Sequence, residues 1–237
     1  MLNFLCIGAQ KSGTTWLHDT LRMHPLIDFP AGKEVHYWDH RAGRSVDWYR
    51  GLFTQLRQLE GDITPAYAIL PESVIREVRQ NFPALRLVYL IRNPMARAWS
   101  SARMALARAE MKHDEASDRW FEDHFRSAGS LARGDYESCL RRWRSVFGDE
   151  QLLVLRYEAI AQSPVATANR VLAHLALPAF FDGAARDRCP PAAVFEGDGM
   201  PLRPSLLPVL RTIYVDQIRR LEDYLQDDLS DWKNWTP

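Results

Sequence analysis

Short apolar runs alternate with helical patterns along this chain, beginning at its first residues. Residues 2–7 form an apolar run that stops at Gly8, which predicts a buried strand leading into a turn. In the next segment, residues 14–23, Leu17 and Leu21 lie four positions apart, as one face of a helix requires. The chain is therefore predicted to begin with a strand, a turn and a helix.

The same order recurs further along the chain. Helices that separate short apolar strands favour an α/β fold with a central, mainly parallel sheet flanked by helices. A proline such as Pro94 is favourable in the first turn of a helix, and Gly148 with Asp149 is a typical helix stop. The predicted strands cover residues 85–91 and 151–155, and the predicted helices cover residues 94–108, 136–147, 164–175 and 206–225.

Length, composition and charge indicate a globular protein and argue against a non-specific nucleic-acid binder. The 237 residues are sufficient for one domain over residues 1–237, and 46% hydrophobic with 25% charged residues is typical of a globular chain. The 30 Lys and Arg balance the 30 Asp and Glu, so the general basic surplus of a non-specific nucleic-acid binder is missing. We expect no nucleic-acid partner, and any anion site must be local.

Cysteine usage and hydropathy give expectations about the compartment. Cys6, Cys139 and Cys189 are widely spaced, without a CxxC pair or a histidine cluster of zinc-ligand spacing. The sequence has no run of 18 apolar residues and no basic, apolar leader. We expect a cytoplasmic protein without a metal site or membrane insertion. The segment from Cys189 to Pro204, rich in Pro and Gly, is predicted to be a mobile surface loop.

The turn after the first strand is the strongest chemical signal. Residues 8–16 read Gly-Ala-Gln-Lys-Ser-Gly-Thr-Thr-Trp and enter a helix. Small residues let several backbone N–H groups and the helix N-terminus converge on an anion, and Lys11 with the neighbouring hydroxyls adds donors. The alternative is an ordinary turn with a threonine N-cap. The added Lys, Ser and paired Thr favour the phosphate site.

The spacing distinguishes this turn from the loop of ATPases and kinases. A Walker A loop has its lysine directly after the second glycine, whereas Lys11 precedes Gly13 and Thr14 follows it. The strand ending at Ile91 runs into Arg92 rather than into an acidic ligand for Mg²⁺. A donor site without metal fits better than a P-loop nucleotide or small-molecule kinase, which is the first alternative.

In these residues the chain resembles the sulfotransferases that use 3′-phosphoadenosine 5′-phosphosulfate (PAPS). Residues 10–17 are similar to the family's 5′-phosphosulfate loop, and residues 92–100 to its 3′-phosphate motif. The resemblance implies a three-layer, P-loop-like fold and sulfuryl transfer from PAPS. The implied contacts to the donor come from a loop and a helix: Lys11, Ser12, Gly13, Thr14, Thr15, Trp16, Arg92 and Ser100. Arg97 is either a further contact or a surface side chain.

Two further segments resemble the glycosaminoglycan-type branch of that family. Residues 33–39 read Lys-Glu-Val-His-Tyr-Trp-Asp and residues 64–67 read Thr-Pro-Ala-Tyr. The resemblance implies that Glu34 is the catalytic base; the alternative is that Lys33 and Glu34 form a solvated charged pair in a loop. His36 either orients Glu34, acts as an alternative base or merely packs. Members of the branch usually carry Glu-Lys before Thr-Pro-Ala-Tyr, whereas this chain has Asp-Ile, so a second sulfonate-contacting lysine is missing.

The remaining expectations concern closure, acceptor and turnover. Arg203, in the Pro-rich loop around residues 197–203, is expected to contact the 3′-phosphate as the C-terminal loops of related sulfotransferases do, unless this loop is a plain surface segment. The pairs Tyr37-Trp38 and Trp48-Tyr49 either line an acceptor pocket or pack in the core. The expected acceptor is a small molecule or contains carbohydrate. A non-catalytic nucleotide-binding protein is the second alternative, against which Lys11 and Glu34 both argue.

Overall fold

Five parallel strands form the sheet at the centre of this protein. The computed structural model describes residues 1–54, 57–191 and 199–237. The strands lie in the order β2-β3-β1-β4-β5, and all four pairings are parallel. The expected central parallel sheet flanked by helices is confirmed. The strands are β1 (Leu2–Gly8), β2 (Ile27–Asp28), β3 (Leu59–Ile63), β4 (Arg86–Ile91) and β5 (Leu152–Arg156).

Helices connect and follow the strands throughout the described ranges. Three short 3₁₀ helices cover Pro65–Ile69, Gly183–Arg188 and Pro204–Leu206. The α-helices are α1 (Thr14–Leu21), α2 (Val46–Gly51), α3 (Glu72–Asn81), α4 (Pro94–Arg108), α5 (Asp118–Arg126), α6 (Ala128–Gly134), α7 (Tyr136–Phe147), α8 (Tyr157–Gln162), α9 (Pro164–His174), α10 (Leu207–Leu225) and α11 (Ser230–Lys233).

The chain divides into two compact units. The first comprises Met1–Ile91 with Arg141–Val194 and holds the sheet; the second comprises Arg92–Leu140 with Phe195–Pro237 and is helical. In the first unit, Phe4 and Cys6 of β1 pack in one core cluster with residues of α1 and α9. Their neighbours Leu5 and Ile7, which point to the opposite face, are also buried. Both faces of the central strand are therefore covered, as parallel sheets require.

The second unit has a buried arginine among its helices. Arg97 of α4 has no exposed surface, and its Nη2 donates to the carbonyl oxygen and the hydroxyl of Ser130 at 2.9 and 3.1 Å and to the Tyr214 hydroxyl at 3.4 Å. A surface position for Arg97, one of the two interpretations of the sequence, is therefore wrong. At the start of the same helix, the Asn93 carboxamide oxygen accepts from the N–H groups of Met95 and Ala96.

The elements with a clear apolar pattern match their predictions within a residue or two. Helix α7 has the predicted bounds, and Pro94 opens α4. Strand β3 was missed because its Leu-Glu-Gly-Asp-Ile sequence has no apolar run, although Glu60 and Asp62 are fully buried. In the Pro-rich loop, residues 189–191 and 199–203 carry no helix or strand; residues 192–198, which include Gly197, lie outside the described residues.

Gly61 of β3 faces Phe4 across the pairing with β1, and this contact gives a stability prediction. A Cβ atom at Gly61 would lie 2.1 Å from Cζ of the Phe4 ring. Because Phe4 is in the core and fully buried, Gly61→Ala must displace a ring that has no free space. We expect the free energy of unfolding to fall by about 1–3 kcal/mol, measured as a lower urea midpoint.

Gly51→Ala is the matched control, since a Cβ atom there meets nothing within 4 Å and Gly51 ends α2. That variant is expected to change the free energy of unfolding by no more than about 1 kcal/mol, in the stabilising direction. Equal urea midpoints for the two variants would contradict the close packing of β3 on Phe4.

Candidate functional site

The loop between β1 and α1 is held in a curled conformation by its two glycines. Gly8 and Gly13 have φ angles of 146° and 92°, which side chains rarely allow. A Cβ atom at Gly13 would also lie 3.0 Å from both Ile160 and Tyr157 of α8. The chain therefore has no room for a side chain where it enters the helix, and Gly13 acts as the N-cap of α1.

The curled loop presents donors that the helix itself does not use. The first backbone hydrogen bond of α1 runs from Leu17 N–H to Gly13 C=O at 3.0 Å, so the preceding N–H groups, those of residues 14–16, have no acceptor within the helix. The Ser12 hydroxyl is buried and has no hydrogen-bond partner among the described residues. Lys11 is half-buried with a left-handed φ of 68°. This arrangement can bind an anion at the helix N-terminus.

The Trp16 side chain is not one of the donors available to an anion. Its indole is buried in the core cluster of the first unit, and its Nε1–H donates to the Pro190 carbonyl at 2.8 Å. The indole therefore anchors the beginning of the Pro-rich loop, and only the backbone N–H of Trp16 can serve the predicted anion site.

Glu34, His36 and Asp39 form a cluster on the loop that follows β2. His36 Nδ1 lies 2.8 Å from Asp39 Oδ2, and His36 Nε2 lies 3.5 Å from Glu34 Oε2. Lys33 Nζ donates to Glu34 Oε1 at 2.6 Å. Burial would lower the pKa of His36, but the hydrogen bond and charge of Asp39, with the charge of Glu34, outweigh it and raise the pKa above its usual value. The cluster thus links the two predicted bases.

The two aromatic pairs, Tyr37-Trp38 and Trp48-Tyr49, are mainly buried. Tyr37, Trp38 and Tyr49 are buried, and the rings of Tyr37 and Tyr49 stack with centroids 4.6 Å apart. Trp48 is half-buried, and the Arg44 guanidinium lies over its ring at 4.0 Å. The core interpretation is therefore correct for three of the four, and Trp48 alone has a face near the surface.

The predicted 3′-phosphate residues belong to the second unit. Arg92 directly follows the last residue of β4, Ser100 lies on α4, and both are half-buried. Arg203 donates to Asp118 Oδ1 at 2.6 Å and to the Ala116 carbonyl at 2.8 Å, and its guanidinium lies 4.9 Å from the Phe121 ring centroid. These contacts occupy the Arg203 side chain, and its contact with a 3′-phosphate stays a prediction.

The described residues contain three cysteines, and they were also compared with the requirements of a metal site and of a membrane-spanning helix. Cys6, Cys139 and Cys189, all of them described residues, form no disulfide. In the part of the chain that the structure describes, no group of three or more His, Cys, Asp or Glu side chains could hold a metal ion. Across the same residues, no helix combines the length and the apolar character needed to cross a bilayer.

The raised pKa of His36 gives a prediction about its carboxylate neighbour. Asp39→Asn removes the charge and weakens the hydrogen bond at Nδ1, so the pKa of His36 should fall, as an NMR titration of the imidazole would measure. His24 is the internal control because its pKa is lowered by burial alone. An unchanged His36 titration in Asp39→Asn would contradict the observed cluster.

Comparison with known proteins gives consistent results. The sulfotransferase domain family model matches residues 3–185. The chain is 30% identical over 180 residues to heparan sulfate glucosamine 3-O-sulfotransferase 6 of Mus musculus, an alignment that covers 73% of this chain and 52% of that protein. This chain spans about half the length of the curated relatives it matches.

Solved structures extend the similarity over the whole chain. A sulfotransferase from Alicyclobacillus acidocaldarius superposes with a TM-score of 0.77 at 25% identity, covering 99% of both chains. A mouse sulfotransferase complexed with PAP superposes with a TM-score of 0.60 at 14% identity, covering 95% of this chain and 88% of that one. The second likeness concerns the fold alone.

Proposed function

Since the chain belongs to the sulfotransferase domain family, we propose that it transfers a sulfuryl group from PAPS to a hydroxyl or amine of an acceptor. The single observation that carries the proposal is the segment of residues 8–16, which runs from the end of β1 into α1 and offers Lys11, Ser12 and the N-terminus of α1 to an anion. Helix N-termini of this kind bind phosphate and sulfate groups.

The donor is proposed to lie with its 5′-phosphosulfate on this loop. Lys11 would neutralise the charge that develops on the leaving phosphate, and the Ser12 hydroxyl with the N–H groups of residues 13–16 would hold the phosphate in place. Arg92 and Ser100 are the proposed 3′-phosphate contacts, since an arginine offers a charged pair of donors to a phosphate. The PAP in the mouse structure supports the choice of nucleotide through the shared fold.

Glu34 is the proposed general base. The acceptor oxygen or nitrogen attacks sulfur, the bond from sulfur to the bridging phosphate oxygen breaks, and the acceptor proton moves to the Glu34 carboxylate. The carboxylate neighbours of His36 raise its pKa, so less of its imidazole is unprotonated and able to accept the acceptor proton. We therefore assign His36 an orienting part beside Glu34, with its own basicity as the alternative.

The acceptor is proposed to be a small molecule or a carbohydrate-containing compound. The curated relative is a heparan sulfate enzyme, but Ile63 stands here where the family resemblance implies a lysine, and the formal net charge is zero. Both features argue against a long polyanion as the acceptor. A small acceptor is accordingly our proposal.

Three further parts of the proposal concern organisation and conditions. Residues 1–237 are proposed to act as one sulfotransferase domain, supported by the bacterial structure that matches 99% of the chain. A cytoplasmic location is supported by the three cysteines, which form no disulfide. Donor binding without a metal is supported by the lack of an acidic residue between β4 and α4, where Arg92 and Asn93 lie.

Calorimetry with 3′-phosphoadenosine 5′-phosphate (PAP) in the absence of Mg²⁺ tests the donor site. We expect binding by the wild-type chain that weakens by about 1.5–3 kcal/mol in Arg92→Ala, the range for a hydrogen bond to a charged group. Lys11→Ala should weaken binding as well. ADP, which has no 3′-phosphate, should bind more weakly than PAP to the wild type and equally to wild type and Arg92→Ala.

Two results would contradict the proposal. Absence of PAP binding would remove the donor site. A preference for a Mg²⁺ nucleotide would favour the P-loop kinase, which shares the strand, loop and helix but needs a metal.

Glu34→Gln tests the assignment of the base. Its turnover of PAPS, followed with water and with a panel of small alcohols, amines and saccharides, should fall by about 10²–10⁴-fold, the usual contribution of a general base. The affinity for PAP should stay within about twofold because the amide keeps the shape of the side chain. Glu72→Gln on α3 is the control glutamate. Turnover that survives in Glu34→Gln and disappears in His36→Ala would reassign the base to His36.

A further inference from the structure

Asp62, in strand β3, is a fully buried carboxylate with hydroxyl donors on both oxygens. Its Oδ1 accepts from the Thr64 hydroxyl at 2.7 Å, and its Oδ2 accepts from the hydroxyls of Tyr49 and Tyr67 at 2.8 and 2.9 Å. Burial raises the pKa of Asp62, and these hydrogen bonds act in the opposite direction. All three hydroxyls therefore direct their hydrogens towards Asp62, whose two oxygens accept.

Two of these hydroxyls bind the loop that carries the proposed base. With their hydrogens directed at Asp62, the oxygens of Thr64 and Tyr67 remain as acceptors. Thr64 Oγ1 accepts from the His36 N–H at 3.4 Å, and the Tyr67 oxygen accepts from the Tyr37 N–H at 3.1 Å. Asp62 thereby determines the orientation of two acceptors that face consecutive backbone amides.

A third amide of this loop is held by β3. The Glu34 N–H donates to the Ile63 carbonyl at 3.1 Å. The N–H groups of Glu34, His36 and Tyr37 therefore all bond to β3 or to the residues just after it. This segment is fixed through its backbone, whereas the Glu34 side chain is exposed.

The backbone at Glu34 and His36 needs such support. Their φ angles are 62° and 56°, in the left-handed region that residues with a side chain rarely adopt. Conformations of this kind persist only where the surrounding structure imposes them. The hydrogen bonds of the Glu34, His36 and Tyr37 amides supply that constraint.

We propose that Asp62 is a positioning residue for the transfer reaction: through the Thr64 and Tyr67 hydroxyls, it fixes residues 34–37 and so aims the Glu34 carboxylate and the His36 imidazole. The inference rests on the proposed function, because it assigns Asp62 a part in that same site. Asp62 does not contact the reacting atoms in this scheme, and it acts only through the loop.

Asp62→Asn is the direct test. One carboxylate oxygen becomes an NH₂ group, which is a donor and cannot accept from a hydroxyl. A hydroxyl of Thr64 or Tyr67 that faces this NH₂ group must turn its hydrogen away from residue 62. Its oxygen is then no longer directed at the N–H of His36 or Tyr37, and that amide loses its acceptor. Hydrogen exchange measured by mass spectrometry should be about tenfold faster for the amides of residues 34–37, the effect of losing one hydrogen bond. PAPS turnover with water as the acceptor should fall about tenfold in kcat, with the KM for PAPS unchanged.

Tyr67→Phe and Tyr49→Phe are a matched pair that keeps the test valid if Asp62→Asn does not fold. Each removes one fully buried hydroxyl from Asp62 Oδ2. Of these two tyrosines, Tyr67 is the one whose hydroxyl also accepts from a loop amide, the Tyr37 N–H. At similar melting temperatures, Tyr67→Phe should therefore show about tenfold faster exchange in residues 34–37 and about tenfold lower kcat than Tyr49→Phe.

Thr64 offers a second pair with a built-in rescue. Thr64→Val keeps the shape and removes the hydroxyl, whereas Thr64→Ser keeps the hydroxyl. Exchange in residues 34–37 and kcat should be altered in Thr64→Val and restored in Thr64→Ser. The affinity of both variants for PAP, measured by calorimetry, should match the wild type.

Specific results would overturn the inference. Equal exchange and equal kcat in Tyr67→Phe and Tyr49→Phe would mean that Asp62 serves stability alone, as would a Thr64→Ser variant as impaired as Thr64→Val. The exchange measurement needs no ligand, so it separates the two proposals. A wild-type chain that binds no PAP yet shows the exchange difference would refute the proposed function and leave the loop anchor in place.

Discussion

The parallel pairing of β1 with β3 on one side and β4 on the other is the constraint on which the first unit depends. Since the strands run in the same direction, the segments that follow them leave from one edge of the sheet, where ligands of such folds bind. The loop of residues 9–13 follows β1, and Thr64 follows β3. The local conformation of each segment determines which groups it exposes. The segment after β1 presents N–H donors, and the segment after β3 presents the hydroxyl oxygens of Thr64 and Tyr67 as acceptors.

Much of the fold could be predicted because the pattern is local. The run of residues 2–7 followed by glycine was sufficient for β1 and the turn, and α7 was predicted at its observed bounds. Strand β3 was different, because Glu60 and Asp62 are typical of exposed positions. Their burial depends on partners from distant parts of the chain, such as the Asn3 side chain, which accepts from the Glu60 N–H. Neither composition nor periodicity contains that information.

The candidate site shows the same division. The anion loop was predicted from residues 8–16 because glycines, lysine and hydroxyls are adjacent in sequence, and the loop with Glu34 was found through its family resemblance. The roles of both segments stay predictions. The Asp62 network could not be predicted, because Tyr49 lies 13 residues before its partner and its contact requires the folded sheet. Arg97 is similar, since the Tyr214 hydroxyl that it contacts is 117 residues away.

The way residues 34–37 are held affects how the protein responds to ionic strength. The Lys33–Glu34 pair is partly exposed, and dissolved salt screens such pairs. The hydroxyl and carboxylate groups of Tyr67 and Asp62 are inaccessible to solvent ions, and screening of buried groups is weak. Salt should therefore weaken the attraction between Lys33 and the Glu34 carboxylate. The backbone of residues 34–37 should keep the same conformation.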